Sequence, residues 1–212
     1  DIKIERIIRN EINKKFLNHS IFGEELRDQK NNNVYKWYID PIDGTKSLIL
    51  GFPNWSNLIG LYYKKECISS FANFPVLNEL YLTKKKKVFR IKNNSKKIIK
   101  SNNNFNKKNI KLVINTLHTL KSKKILSFLK NYKGIFKVSG VDAYNFCKIA
   151  DGRIDVLIES GLKKIDIYPL IKIIENSGAI ITDWNGKNNY KNGDVIVAGN
   201  KKLHDFILKK IK

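Results

Sequence analysis

Residues 37 to 55 read WYIDPIDGTKSLILGFPNW, an apolar strand that ends on two aspartates, Asp40 and Asp43, and then breaks at Gly44 and Thr45. Acids at a strand end have two readings. As local chemistry they belong to a turn, with Pro41 fixing φ and Gly44 supplying freedom, and an isolated DPxDG says no more than that. As site chemistry they are part of a ligand set. Carboxylates brought together repel one another and lose hydration, so a cluster holds only where hydrogen bonds, protons or cations compensate. Oxygen ligands without His or Cys favour Mg²⁺. Two further strand ends carry acids: Glu24 and Glu25 follow IFG, and Asp166 stands just past IESGLKKI at the start of a helix, where it also has a capping reading. In a layered fold, strand ends are where side chains converge in a crevice.

Working outward, residues 2 to 17 place Ile4, Ile7, Ile8, Ile12 and Phe16 at helical spacing, which predicts an amphipathic helix with those residues inward. HSIFGEE and VYKWYID read as strands. From 55 to 91 the segments WSNLIGLYY, CISSFANF, ELYLT and KVFRI form a β meander. The polar stretch 93 to 109 reads as an exposed loop or hairpin, and it divides an N-terminal α+β subdomain, 1 to 100, from a C-terminal α/β subdomain, 101 to 212, within one compact unit. The second half alternates: strand IKLVIN, a helix over 119 to 131, strand GIFKVS, a helix over AYNFCKIA, strand RIDVLIES, a helix from about 166 to 176 closed by Gly178, strands AIITDW and DVIVAG, and a helix from 201. Alternation of this kind implies sheets layered with helices.

The bulk properties narrow the function. The 212 residues are 42% hydrophobic, enough for a packed core, and no apolar run is long enough to cross a bilayer. No signal-peptide layout opens the chain, so the expected compartment is cytoplasmic. Cys67 and Cys147 lack CxxC spacing and read as small buried hydrophobes rather than a disulfide or zinc site. Net charge is +22, which raises nucleic acid as a partner. The excess is mostly Lys scattered among Asn and Ile, with Arg at only five positions. Nucleic-acid readers favour Arg forks and interleaved aromatics, so a solvated Lys surface is the better reading. His19, His118 and His204 are isolated and read as surface or packing residues; Trp55, Trp184 and Tyr144 read as core.

Taken together, FGEE, WYIDPIDGTKSL and IESGLKKIDIYPLIKIIENSGAIITDWNG occur in the order and spacing of the inositol monophosphatase family, and the chain resembles that family over essentially its whole length. The resemblance implies an α+β fold, the layered α/β/α/β/α sandwich shared with fructose bisphosphatases, and a Mg²⁺-dependent phosphomonoesterase. DGTKSLILGFPNWSNLIGL, FANFPVLNELY and GVDAYNFCKIADGRIDVLIESGL resemble the histidinol-phosphatase branch more than the inositol enzymes. Leu48, Tyr168-Pro169 and Ser177-Gly178-Ala179 depart from the usual pattern. The opening DIKIERIIRNEI resembles a helix start that in the family follows an N-terminal helix and hairpin, so about a fifth of a typical member is expected before Asp1.

Carried over by position, the resemblance implies that Glu24, Asp40, Asp43, Asp166 and the main-chain carbonyl of Ile42 bind two or three Mg²⁺ ions. It further implies that the Gly44 and Thr45 amides hold phosphate, as exposed donors near a helix N-terminus do. Thr45 and Glu24 would orient the attacking water, with Asp1 assisting the threonine unless it is simply a helix cap. Glu159, seven residues before Asp166, matches the family's substrate-contacting glutamate and suits an amine or imidazole as well as a hydroxyl. Asp142 is either a second substrate contact or the N-cap of the following helix. The expected substrate is L-histidinol phosphate, with inositol 1-phosphate and adenosine 3′,5′-bisphosphate as alternatives. A homodimer is the expected assembly, and a basic nucleic-acid-binding protein on the same fold is the rival of another class.

Overall fold

The computed structural model describes residues 1–107 and 109–212. Helix α1 (Ile2–Lys15) precedes a seven-stranded sheet whose strands lie in chain order: β1 (Ser20–Gly23), β2 (Tyr35–Asp43), β3 (Ser56–Tyr63), β4 (Glu66–Phe74), β5 (Glu79–Lys84), β6 (Lys87–Lys92) and β7 (Ser95–Ile99). β1 runs parallel to β2, and every later neighbour is antiparallel. Two-residue turns with positive φ, Lys85-Lys86 and Asn93-Asn94, close the last two hairpins, the backbone that matches strand twist. Of the loop and hairpin readings of this stretch, residues 93 to 99 follow the hairpin, with 95 to 99 a strand on β6. Their polar composition fits, because an edge strand keeps one side in water and only Ile99 is buried.

The second sheet is ordered β11-β12-β10-β8-β9, from β8 (Lys111–Ile114), β9 (Ile135–Val138), β10 (Val156–Glu159), β11 (Ile180–Thr182) and β12 (Val195–Ala198). Its central strands are apolar except for Lys111 and Glu159 at their ends, because both faces are covered. Along β10, Leu157 faces one core while Val156 and Ile158 face another. The first core lies between the sheets. There α4 (Ala143–Ala150) and α6 (Ile171–Ser177) bring Phe146, Ile149, Ile173 and Ile174 against Phe74 and Tyr81 of the first sheet and Val197 of the second. In the other, α3 (Lys123–Lys130) and α7 (Lys201–Ile211) pack Ile125, Leu129, Leu203 and Ile207 on Ile114 and Ile196. With α1 on the outer face of the first sheet through Ile12, Ile21 and Ile39, the layers are α/β/α/β/α, as the family resemblance implies.

Two local departures matter for the site. The helix expected over 166 to 176 is two: α5 (Lys164–Ile167) stops at Tyr168, and α6 starts after Pro169, which has no N–H to continue the ladder. This break lies on β3, where a Cβ at Gly60 would come within 2.8 Å of Pro169 Cα. The stripe of α1 also differs. Glu5, Arg9 and Ile12 are buried, whereas Ile7 and Phe16 are 56% and 41% exposed.

Candidate active site

The acids are assembled by register. β1 and β2 are parallel and pair Gly23 with Ile39, so Glu24 leaves the sheet beside Asp40, which is still held in β2. On β2, residues 40 and 43 of a regular strand would point to opposite faces. Here Asp40 pairs with Leu58 and Asp43 with Ser56, three residues against two, and this bulge restores Asp43 to the side of Asp40. Gly44 then turns through φ 81°, a conformation that favours glycine, into the short helix α2 (Thr45–Ile49). The Thr45 hydroxyl donates to the Ile42 carbonyl at 3.1 Å.

Burial of these carboxylates is costly, and each is held differently. Asp40 is 2% exposed, and its Oδ1 has no hydrogen-bond partner. Burial, then the charges of Asp43, Glu24 and Asp166, push its carboxyl up to about 10. Asp43 Oδ2 accepts from Ser56 Oγ at 3.1 Å and from the Ala143 amide at 3.3 Å, tying β2 to the head of α4; burial still holds its carboxyl well above the usual range. Asp166 Oδ2 accepts from the Lys163 amide at 2.7 Å, and burial raises it to about 6. Glu24 accepts from Lys163 Nζ at 2.7 Å.

Beside these four stands a second pair. Asp142 accepts from Asn115 Nδ2 at 2.5 Å, and Glu159 accepts from the Asn115 amide. Burial and the neighbouring Asp166 raise Asp142 to about 7, while burial and Asp142 raise Glu159. Asp142 precedes α4, but its side chain caps no amide there. The capping reading is thus corrected, because the carboxylate is turned to Asn115. The N-cap reading of Asp166 is also corrected. Lys163 is the N-cap, and Asp166 lies three residues into the turn. Asp1 heads α1, exposed, with no side-chain cap bond, and the Thr45 hydroxyl bonds to the Ile42 carbonyl instead.

Among the described residues no three His, Cys, Asp or Glu side chains are so placed that they could hold a metal ion as they stand. The donor set nevertheless fits a hard divalent cation. It is all oxygen, and its most deeply buried member offers an unpartnered lone-pair atom of a kind that native interiors rarely leave unsatisfied. Asn115, Ser56 and Lys163 are the site residues that sequence reasoning missed; only the polar Asn ending the strand IKLVIN gave any signal.

The raised carboxyls fix the sign of a pH dependence. Between about 4 and 7 the folded chain retains protons on Asp166 and Asp142 that the unfolded chain has released, so stability falls as pH rises through that window. Metal-free protein is expected to melt at least about 5 °C lower at pH 8 than at pH 5.5, with Mg²⁺ restoring most of the difference at pH 8. Thermal melts in EDTA and in Mg²⁺ check this, and a melting point that rises with pH in EDTA would contradict it.

Comparison with known proteins identifies the family. The model of a family described as "Inositol monophosphatase family" matches residues 1–212. A chloroplastic bifunctional phosphatase, IMPL2, of Arabidopsis thaliana is 32% identical over 207 residues, covering 92% of this chain and 59% of that protein. A fructose-1,6-bisphosphatase/inositol-1-monophosphatase of Aquifex aeolicus is 30% identical, covering 98% and 78%. A histidinol-phosphatase of Chlorobaculum parvum is 28% identical, covering 96% and 78%. The structure of an IMPase from Thermotoga maritima superposes with a TM-score of 0.86 at 25% identity over 100% of this chain and 81% of that one. The chain thus spans about three fifths of the plant relative and four fifths of the others.

Proposed function

The chain belongs to the inositol monophosphatase family of phosphatases, and from that premise we propose that it hydrolyses L-histidinol phosphate with Mg²⁺. The observation that carries the substrate class is the second acid pair. Asp142 and Glu159 are bridged by Asn115 beside the first four carboxylates, and two acids so placed suit a substrate bearing a protonated amine. A relative named histidinol-phosphatase supports the same reading.

In this scheme Glu24, Asp40, Asp43, Asp166 and the Ile42 carbonyl hold two or three Mg²⁺ ions. Bound Mg²⁺ supplies activation of water and neutralises phosphate charge in the in-line displacement. The Gly44 and Thr45 amides seat phosphate oxygens. Thr45 Oγ1, now bonded to the Ile42 carbonyl, orients the attacking water together with Glu24. Asp142 and Glu159 receive the amine, which replaces the protons those buried acids otherwise retain. Homodimerisation belongs to the same proposal, supported by Ile49, Leu50 and Phe52, which stand 56 to 76% exposed beyond Thr45.

Phosphate release from histidinol phosphate, inositol 1-phosphate, fructose 1,6-bisphosphate and adenosine 3′,5′-bisphosphate, with and without Mg²⁺, tests the reading. Histidinol phosphate is expected to be turned over at least tenfold more efficiently than the others. Equal or greater turnover of inositol 1-phosphate, the reading favoured by the Aquifex relative, would remove the amine from the argument while leaving the phosphatase. Salt-sensitive RNA binding with no turnover would overturn both.

A further inference from the structure

Glu24 leaves the sheet on a segment that strand pairing no longer holds, since β1 ends at Gly23. That segment is gripped by two side chains of α1. Glu5 is 0% exposed, and its Oε2 accepts the Glu25 amide at 2.8 Å. Its Oε1 accepts the Leu26 amide at 3.3 Å and Arg9 Nε at 2.7 Å. Arg9, 7% exposed, completes the clasp by donating Nη2 to the Leu26 carbonyl at 3.2 Å. Access is close: a Cβ on Gly23 would stand 2.0 Å from Glu5 Oε1, so only glycine lets the carboxylate reach the chain beside Glu24.

A buried ion pair is a poor way to dock a helix, because apolar residues of similar volume usually do so as well or better. α1 already docks apolar side chains elsewhere, through Ile12 on Ile21 and Ile39. What apolar residues cannot do is accept two amides and donate to a carbonyl in the same short segment. We propose that Glu5 and Arg9 are positioning residues that fix the main chain of Glu24 and thereby set the protein's affinity for divalent cation. This rests on the reading of Glu24 as a metal ligand.

A double-mutant cycle on Mg²⁺ affinity, read by titration calorimetry without substrate, separates positioning from general support of the fold. Glu5→Gln is expected to weaken Mg²⁺ binding five- to tenfold in the wild-type background and less than twofold in a Glu24→Gln background. An unchanged affinity, or the same loss in both backgrounds, overturns the proposal. Should Glu5→Gln not fold, Arg9→Lys, which keeps the cation but loses the fork to Leu26, carries the same cycle with an expected two- to fivefold loss confined to the wild-type background. Wild-type protein that binds Mg²⁺ while the cycle is additive refutes the positioning role and leaves the metal reading intact; wild-type protein that binds no Mg²⁺ refutes both.

Discussion

Replacing Asp40 with Asn is expected to cut phosphate release at least about a thousandfold while raising the melting point of the metal-free protein. The two effects share one cause. Asp40 is buried, faces Asp43, Glu24 and Asp166, and leaves Oδ1 without a partner. At pH 7.5 the folded chain must therefore keep a proton on a carboxyl raised to about 10 or bury its charge. The unfolded chain meets neither cost. Asn is isosteric and needs no proton, so the folded state gains about 2 kcal/mol, well below the ceiling set by ~1.4 kcal/mol per pKa unit, and the melting point rises about 5 °C. On the proposed metal reading, the lost negative charge also removes a ligand. Thermal melts in EDTA and phosphate release in excess Mg²⁺ measure both arms. Retained turnover, or a variant that melts lower than wild type in EDTA, would show that Asp40 is a structural turn residue after all.

What the sequence made legible here was whatever depends on short spacing. The DPIDGT stretch placed two acids at a strand end, and the alternation of apolar runs after residue 110 anticipated covered sheets, because a strand buried on both faces has to be apolar throughout. The family-like spacing of Glu159 and Asp166 placed one acid from each of the two groups. Failures occurred where a long-range partner decides. Glu5 and Arg9, four residues apart, look like a solvated helical pair, and only the GEE segment folding over them converts that face into the buried one. Asp142 has the position of an N-cap, yet Asn115 on β8 claims its carboxylate. The helix expected over 166 to 176 is periodic on both sides of Pro169, and that periodicity masked the break which the missing N–H of Pro169 makes.

Glu79 carries the second large effect, on the fold rather than on the chemistry. It is 1% exposed on β5 and accepts from Tyr81 Oη at 2.5 Å and Lys148 Nζ at 2.6 Å, with Arg90 Nε at 2.7 Å and Lys92 Nζ at 3.4 Å. Lys148 belongs to α4, and Arg90 reaches Asp151 at the end of that helix at 3.1 Å. One carboxylate thus fastens α4 to the first sheet, and the head of the same helix gives the Ala143 amide to Asp43. Burial alone would raise the Glu79 carboxyl, but the Lys148 and Tyr81 hydrogen bonds and the nearby cations outweigh it and hold the group at about 2. Glu79→Gln leaves Lys148 and Lys92 without their counter-charge, Arg90 keeping Asp151, which costs about 3 to 5 kcal/mol and about 10 °C in melting point at pH 7. Because the folded carboxyl lies below its unfolded value, its stabilisation is complete above about 4.5 and disappears as pH falls through about 2. The melting difference between wild type and Glu79→Gln should therefore be constant from pH 8 to 5.5 and shrink below pH 4.5. A difference under 2 °C at pH 7, or one that persists undiminished at pH 3, would mean that packing by Phe74 and Tyr81, and not this carboxylate, holds α4 against the sheet.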